Sequence, residues 1–178
     1  MKANVLLPTL LTLTLLNACA PRAAPPAAAP PPAEPTSPAP AAVPPPAGDW
    51  RDAPLTPGTW RWSAASGQSA ASFERAGEPP LVILRCAVPG TIQLTHAAAP
   101  VITQPTPLAV TTSSGTFPLI TDPAIAGTSG VTVTLPARAR VLDAMAFSRG
   151  RFVIEVAGLT PSYLPAWPEI ARVIEDCR

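Results

Sequence analysis

Lysine occurs once in this 178-residue chain, at Lys2, histidine once, at His96, and asparagine twice, at Asn4 and Asn17. Each scarcity excludes chemistry. No phosphate-binding loop ending in Gly-Lys-Ser/Thr exists, no Schiff-base lysine is available beyond the first residues, and no metal site needing two histidines can form. Charge is also sparse: 13% of residues are charged and the formal net charge is +1, which gives no field for holding nucleic acid. Three cysteines, Cys19, Cys86 and Cys177, are too far apart for a Cys-x-x-Cys redox pair or a zinc knuckle. The residues name no cofactor and no metal.

What the chain has in excess is proline, 27 residues of it, and they are unevenly spread. Before the richest stretch, Met1 and Lys2 form a short positive start and Val5 to Leu16 an apolar run. That run is too short to span a bilayer and has the layout of a signal peptide. It ends Leu16-Asn17-Ala18-Cys19, which resembles the bacterial lipobox, so residues 1–18 are expected to be a lipoprotein signal and Cys19 the diacylated N-terminus. The alternative is an ordinary secretory signal cut after Ala20, with Pro21 placed awkwardly just beyond the cut. Two or three acyl chains hold a protein on a membrane essentially permanently. Ala20, not aspartate, follows the cysteine, which by the sorting rule of enteric bacteria implies the outer membrane, with the rest of the chain facing the periplasm.

Residues 19–48 then read as a lipid-anchored linker. Proline and alanine dominate it, and Arg22 and Glu34 are its only charges. With φ fixed near −65° and donors removed, such a segment is extended polyproline, about 3.1 Å per residue and roughly 90 Å at full stretch. A spacer is the expected role; docking of its Pro-Pro-Pro stretches by a partner is the rival.

Residues 49–178 are long enough to bury a core. Their period-two alternation predicts a mainly β (α+β) domain, a β-sandwich or barrel of seven or eight short strands. The clearest are Thr91 to His96, Val131 to Leu135 and Phe152 to Val156. Leu81 to Leu84 is continuously apolar, which predicts a central strand covered on both faces. Thr59 to Ser63, Ser69 to Phe73, Leu108 to Ser113 and Thr116 to Ile120 are weaker. Val141 to Ser148 predicts a short internal helix with Gly150 just past its end. Pro168 to Cys177 predicts a C-terminal helix, with Ile170, Val173, Ile174 and Cys177 at i, i+3, i+4 and i+7. Glu175 and Asp176 oppose the dipole at its end unless Arg172 and Arg178 neutralise them. With Cys19 acylated, Cys86 and Cys177 remain as an even pair in an oxidising compartment and are expected to form a disulfide; a redox-active pair is the alternative.

Three blocks carry a family resemblance: Asp49-Trp50-Arg51-Asp52 with Thr56-Pro57-Gly58-Thr59-Trp60, then Leu142 to Phe152 (LDAMAFSRGRF), then Leu164 to Arg178 (LPAWPEIARVIEDCR). Together they resemble a family of small, uncharacterised lipoproteins of alphaproteobacteria of the sphingomonad type. The resemblance implies an envelope location and an intact domain, and transfers no catalytic residue.

Candidate chemistry is thin. A Ser-His-Asp hydrolase would have to use His96, yet no Gly-x-Ser-x-Gly turn is present, and the alternative is a strand-end histidine pairing with a backbone group. Arg138, Arg140, Arg149 and Arg151 fall within fourteen residues containing one acid, Asp143, and form a candidate anion-binding patch, or else solvated strand-edge guards. Trp60 and Trp62 share a strand face near Trp50, as in sugar platforms and in ordinary cores. The expected function is therefore a non-enzymatic envelope lipoprotein that binds or scaffolds an envelope protein or anionic glycan, with no nucleic acid. Alternatives are an inhibitor of an envelope-targeting hydrolase and a cryptic hydrolase using His96.

Overall fold

The computed structural model describes residues 48–97, 102–124 and 130–178. The signal segment, Cys19 and the linker before Gly48 lie outside them. The described chain forms nine antiparallel strands in two sheets and two short helices, a β-sandwich-like domain with no closed barrel. Sheet A contains β1 (Thr59–Ser63), β2 (Ala70–Glu74), β3 (Val82–Val88), β4 (Thr91–His96) and β7 (Val131–Pro136), in the spatial order β1-β2-β3-β4-β7. Sheet B contains β5 (Pro107–Thr112), β6 (Gly115–Ile120), β8 (Arg151–Val156) and β9 (Ser162–Pro165), in the order β6-β5-β8-β9.

The strand register explains how the sheets meet. Trp60 stands opposite Phe73, Phe73 opposite Val82, Val82 opposite His96 and His96 opposite Val131, so these five form one row across sheet A. All five are buried and face inward. At one end of the row the Trp60 indole N–H donates to the Pro165 carbonyl at 2.8 Å; three strands away, His96 Nε2 meets Ser162 Oγ at 2.9 Å. Both partners belong to β9. Three residues along a strand span roughly 10 Å and three strand spacings roughly 14 Å, a difference that two long side chains close. β9 therefore runs across the strands of sheet A, the arrangement of orthogonally packed sheets.

Between the sheets, Leu84, Ile92, Leu94, Val133 and Leu135 face Leu108, Val110, Phe152, Ile154 and Leu164. Trp60 meets Phe73 edge-on, with ring centroids 5.3 Å apart. Two glycines permit close approaches. Gly58 has φ +149° and a Cβ there would lie 2.7 Å from the Phe73 ring; Gly130 has φ +105° and a Cβ would lie 2.4 Å from the His96 carbonyl oxygen.

The strands covered on both faces are the neighbours β5 and β8, not the stretch Leu81 to Leu84. In β8 both Phe152, Ile154 and Val156 and the opposite set Val153 and Glu155 are buried. In β3, Val82 and Leu84 are buried, whereas Ile83 on the other face is only half-buried. The apolar run has one outward member that needs partial cover. β9 was not expected at all: it is four residues long and bounded by Pro161 and Pro165, which read as breakers. Its outer edge is closed by the segment before β1, where the Thr56 N–H donates to the Tyr163 carbonyl at 2.9 Å and the Tyr163 N–H to Thr56 Oγ1 at 3.0 Å.

Helix α1 (Arg140–Ala146) buries Val141, Leu142 and Met145, the expected stripe. It ends at Ala146, and Gly150, expected just past its end, instead makes the turn into β8 at φ +79°. Helix α2 (Pro168–Asp176) buries Ile170, Val173 and Ile174 and packs on β1, β2 and β3. Cys86 in β3 and Cys177 just past α2 are joined in a disulfide. It closes 91 residues, which in the chain-entropy model contributes up to about 4–5 kcal/mol. Of the two dipole-opposing acids, Glu175 has an expected arginine and Asp176 does not. Arg178 pairs with Glu175 at 2.9 Å and with Asp143 of α1, but Asp176 accepts the Ser69 hydroxyl at 2.6 Å, and Arg172 lies over the Trp62 ring.

Trp60→Phe keeps the ring in the core and removes one donor to the Pro165 carbonyl, which retains the Trp167 N–H at 3.1 Å, so the loss is that of a single buried hydrogen bond, about 0.5–1.5 kcal/mol. We expect a loss of that size in urea unfolding; an unchanged midpoint would show that this bond does not seat β9.

Candidate functional site

The outer face of sheet A follows from the same register. Ile83, Thr95 and Thr132 form one outward row, and Arg85 and Gln93 stand side by side in the next. The chain crosses over these rows where it passes between the sheets, through Ile102 and Gln104 on one side and Thr121 to Ala124 on the other. Together they enclose an open cleft of about 400 Å³. Its floor is polar at most positions: Arg85 Nη2 donates to Gln93 Oε1 at 2.6 Å, and the Thr95 and Thr132 hydroxyls lie 3.0 Å apart. Asp122 enters from the β6–β7 connection, held by the Thr134 hydroxyl on its Oδ2 at 2.6 Å and by its own N–H on the Thr132 carbonyl at 2.7 Å. Further along the face Arg61 pairs with Glu74 at 2.8 Å. Arg85 has no carboxylate partner among the described residues.

The residues singled out from sequence fall elsewhere. Of the arginine patch, Arg138 and Arg140 lie at the start of α1, while Arg149 and Arg151 follow its end, with about 10 Å of helix between the pairs. Arg138, Arg140 and Arg149 are exposed; Arg151 is half-buried and donates to the Ala53 carbonyl. The tryptophans form no open platform. Trp60 is in the core, and Trp62 donates to Ser69 Oγ at 2.9 Å beneath the Arg172 guanidinium, 3.4 Å from its ring centroid.

The hydrogen bond that His96 makes at normal distance goes to a side chain, the Ala97 backbone acting on it only weakly. His96 Nε2 bonds Ser162, a residue that sequence reasoning passed over because β9 was invisible, and its buried Nδ1 has no hydrogen-bond partner. A serine hydroxyl on an imidazole is the contact that activates a nucleophile, but a third group would have to orient the ring through Nδ1. Both residues are about 4% exposed, and they line a shallow cavity together with Thr56, Leu81, Ala97, Leu159, Thr160 and Pro161. Among the described residues no cluster of three or more His, Cys, Asp or Glu side chains could hold a metal ion.

Two buried titratable groups respond oppositely to acid. Burial lowers the His96 pKa, with the Ala97 backbone acting more weakly the other way. Burial on the outer side of β8 raises the Glu155 pKa against the Thr111 hydroxyl bonded to it.

The comparisons with known proteins add no name. The chain matches no family model, no curated protein and no solved structure. Function must therefore be argued from the cleft and from the His96 pair.

The folded protein resists protonating His96 while the unfolded chain does not, so the unfolded state binds more protons below the ordinary value of 6.5. The His96 contribution to stability is complete above that pH and is lost as pH falls through the depressed pKa of the folded state. Glu155 acts in the opposite sense, its contribution being present below 4.5 and lost as pH rises through its raised pKa. We expect His96→Gln, which preserves a partner for Ser162, to fold and to lose the decline in melting temperature between neutral and mildly acid pH that the wild type undergoes. Parallel pH profiles for the two proteins would contradict this.

Proposed function

We propose that the chain is a lipoprotein held at the outer membrane through Cys19, whose β-sandwich domain faces the periplasm and binds an envelope component without transforming it. The observation that carries the binding role is the outer-face cleft, where a guanidinium without an acidic partner among the described residues, an amide and two hydroxyls converge on one open cavity. Such a set recognises polar groups and holds no activated nucleophile. The lipobox ending at Cys19 and the proline-alanine spacer support the location. Membership of the sphingomonad-type lipoprotein family is part of the same reading and rests on the three sequence blocks. Arg138, Arg140 and Arg149 offer a second positive surface toward an anionic glycan or an envelope protein.

A hydrolase reading is favoured by one observation, the 2.9 Å contact between His96 and Ser162. The binding reading is preferred because the two side chains of that pair are almost wholly buried and no side chain orients the ring through Nδ1, whereas the polar groups of the cleft face an open cavity.

Cys19→Ser should move the protein out of the membrane fraction; a variant that stays there refutes the anchor. In a deletion strain with a scorable envelope phenotype, His96→Gln and Ser162→Ala should both complement to near wild-type level. Loss of a general base typically costs 10² to about 10⁴ in rate, so failure of both variants with normal melting would establish the hydrolase instead.

A further inference from the structure

We propose that the cleft on the outer face of sheet A is a site for an acidic sugar, a pyranose ring bearing a carboxylate. This deepens the binding role above and rests on it. A cavity of about 400 Å³ lies in the range of small-ligand sites and admits one or two sugar rings.

Three features select the chemistry. Arg85 supplies the charge: Gln93 takes one of its N–H groups, and the rest of the guanidinium fork is available to grip a carboxylate with two parallel hydrogen bonds. Because Gln93 Oε1 is engaged by Arg85, its NH₂ is the group presented to a ligand. The hydroxyl-recognising groups stand in the adjoining row: Thr95 and Thr132 each donate or accept, and Asp122, fixed through Oδ2, keeps Oδ1 as an acceptor for ring hydroxyls. Finally, Ile83 in the floor and Ile102 and Pro123 beside it give aliphatic surface for the C–H face of the ring.

The same geometry disfavours other small ligands. A phosphate would bring two negative charges against Asp122, with a single guanidinium to balance them. An extended peptide needs free backbone groups to pair with, and at this edge of sheet A the Thr132 carbonyl is already taken by the Asp122 N–H. A hydrocarbon chain would strand the hydroxyls and the guanidinium. A ring with one carboxylate and several hydroxyls satisfies all of them.

The test uses the full-length lipoprotein in detergent micelles, titrated by ligand-observed saturation-transfer NMR. D-glucuronate is the probe, with D-glucose (same ring, no carboxylate) and N-acetyl-L-alanine (carboxylate, no ring) as comparators. Glucuronate should bind at millimolar concentrations or better, and each comparator about tenfold more weakly. Arg85→Gln, at an exposed position, should reduce glucuronate affinity about tenfold and leave glucose unchanged. Thr132→Val, close to isosteric, should weaken both sugars.

Equal affinity for glucuronate and glucose, or an Arg85→Gln variant that binds glucuronate as the wild type does, would remove the carboxylate from the proposal. N-acetyl-L-alanine binding as tightly as glucuronate would remove the sugar. No saturable binding of glucuronate would overturn the site altogether. None of these outcomes touches the membrane anchor, which fails or stands on the Cys19→Ser fractionation alone.

Discussion

The fold depends on how one short strand is seated. β9 offers only four residues, yet it is held from two points three strands apart on a single row of sheet A, by an indole at Trp60 and an imidazole at His96. Those two contacts set the crossing of the sheets, because a strand bonded to two separated members of a row must run along it. The apolar middle of the row, Phe73 and Val82, then lies against the core, and hydrophobic burial supplies the stabilisation that two hydrogen bonds alone would not. The polar groups contribute direction, the apolar ones strength.

A second closure is at the far side of the core. α2 is tied to β3 by the disulfide, to the β3–β4 turn by the Gly90 N–H on the Cys177 carbonyl at 2.7 Å, and to α1 by Arg178 bridging Asp143 and Glu175. Since α2 and β9 both bear on the inner face of sheet A, its outer face is left to the described parts of the connections between the sheets, around Ile102 and Gln104 and from Thr121 to Ala124. The cleft is the space between those residues and the strands. Scaffold and site are thus on opposite faces of the same strands, and side chains such as Arg85 and Gln93 can vary without disturbing Leu84 or Ile92 behind them.

Much of this was legible in the residues. Hydrophobic pattern located eight of the nine strands, most by alternation at period two and β3 by the continuous apolar run Leu81 to Leu84; the helix stripes at Val141 and Ile170 were equally plain. β9 was hidden because its prolines and its length erase the pattern. The polar floor of the cleft was also present in the alternation, as the outward positions Arg85, Gln93, Thr95 and Thr132. What periodicity could not provide was the roof, made by irregular chain around Ile102 and Asp122, nor the meeting of His96 with Ser162, 66 positions away. The half-buried Ile83, read as a sign of full cover, was the trace that something lay over this face.

The seating of β9 also has a kinetic side. The contacts that align the sheets join residues 105 and 66 positions apart, and loop-closure entropy must be met before either rewards the chain. A topology dominated by such distant pairings belongs with the slow-folding β-sandwiches, at milliseconds to seconds, rather than with the fast helical bundles. Until β9 docks, the neighbouring edge of β8 is an open template for another chain. Crowding of nascent copies is therefore the circumstance in which this protein is most exposed to misassembly.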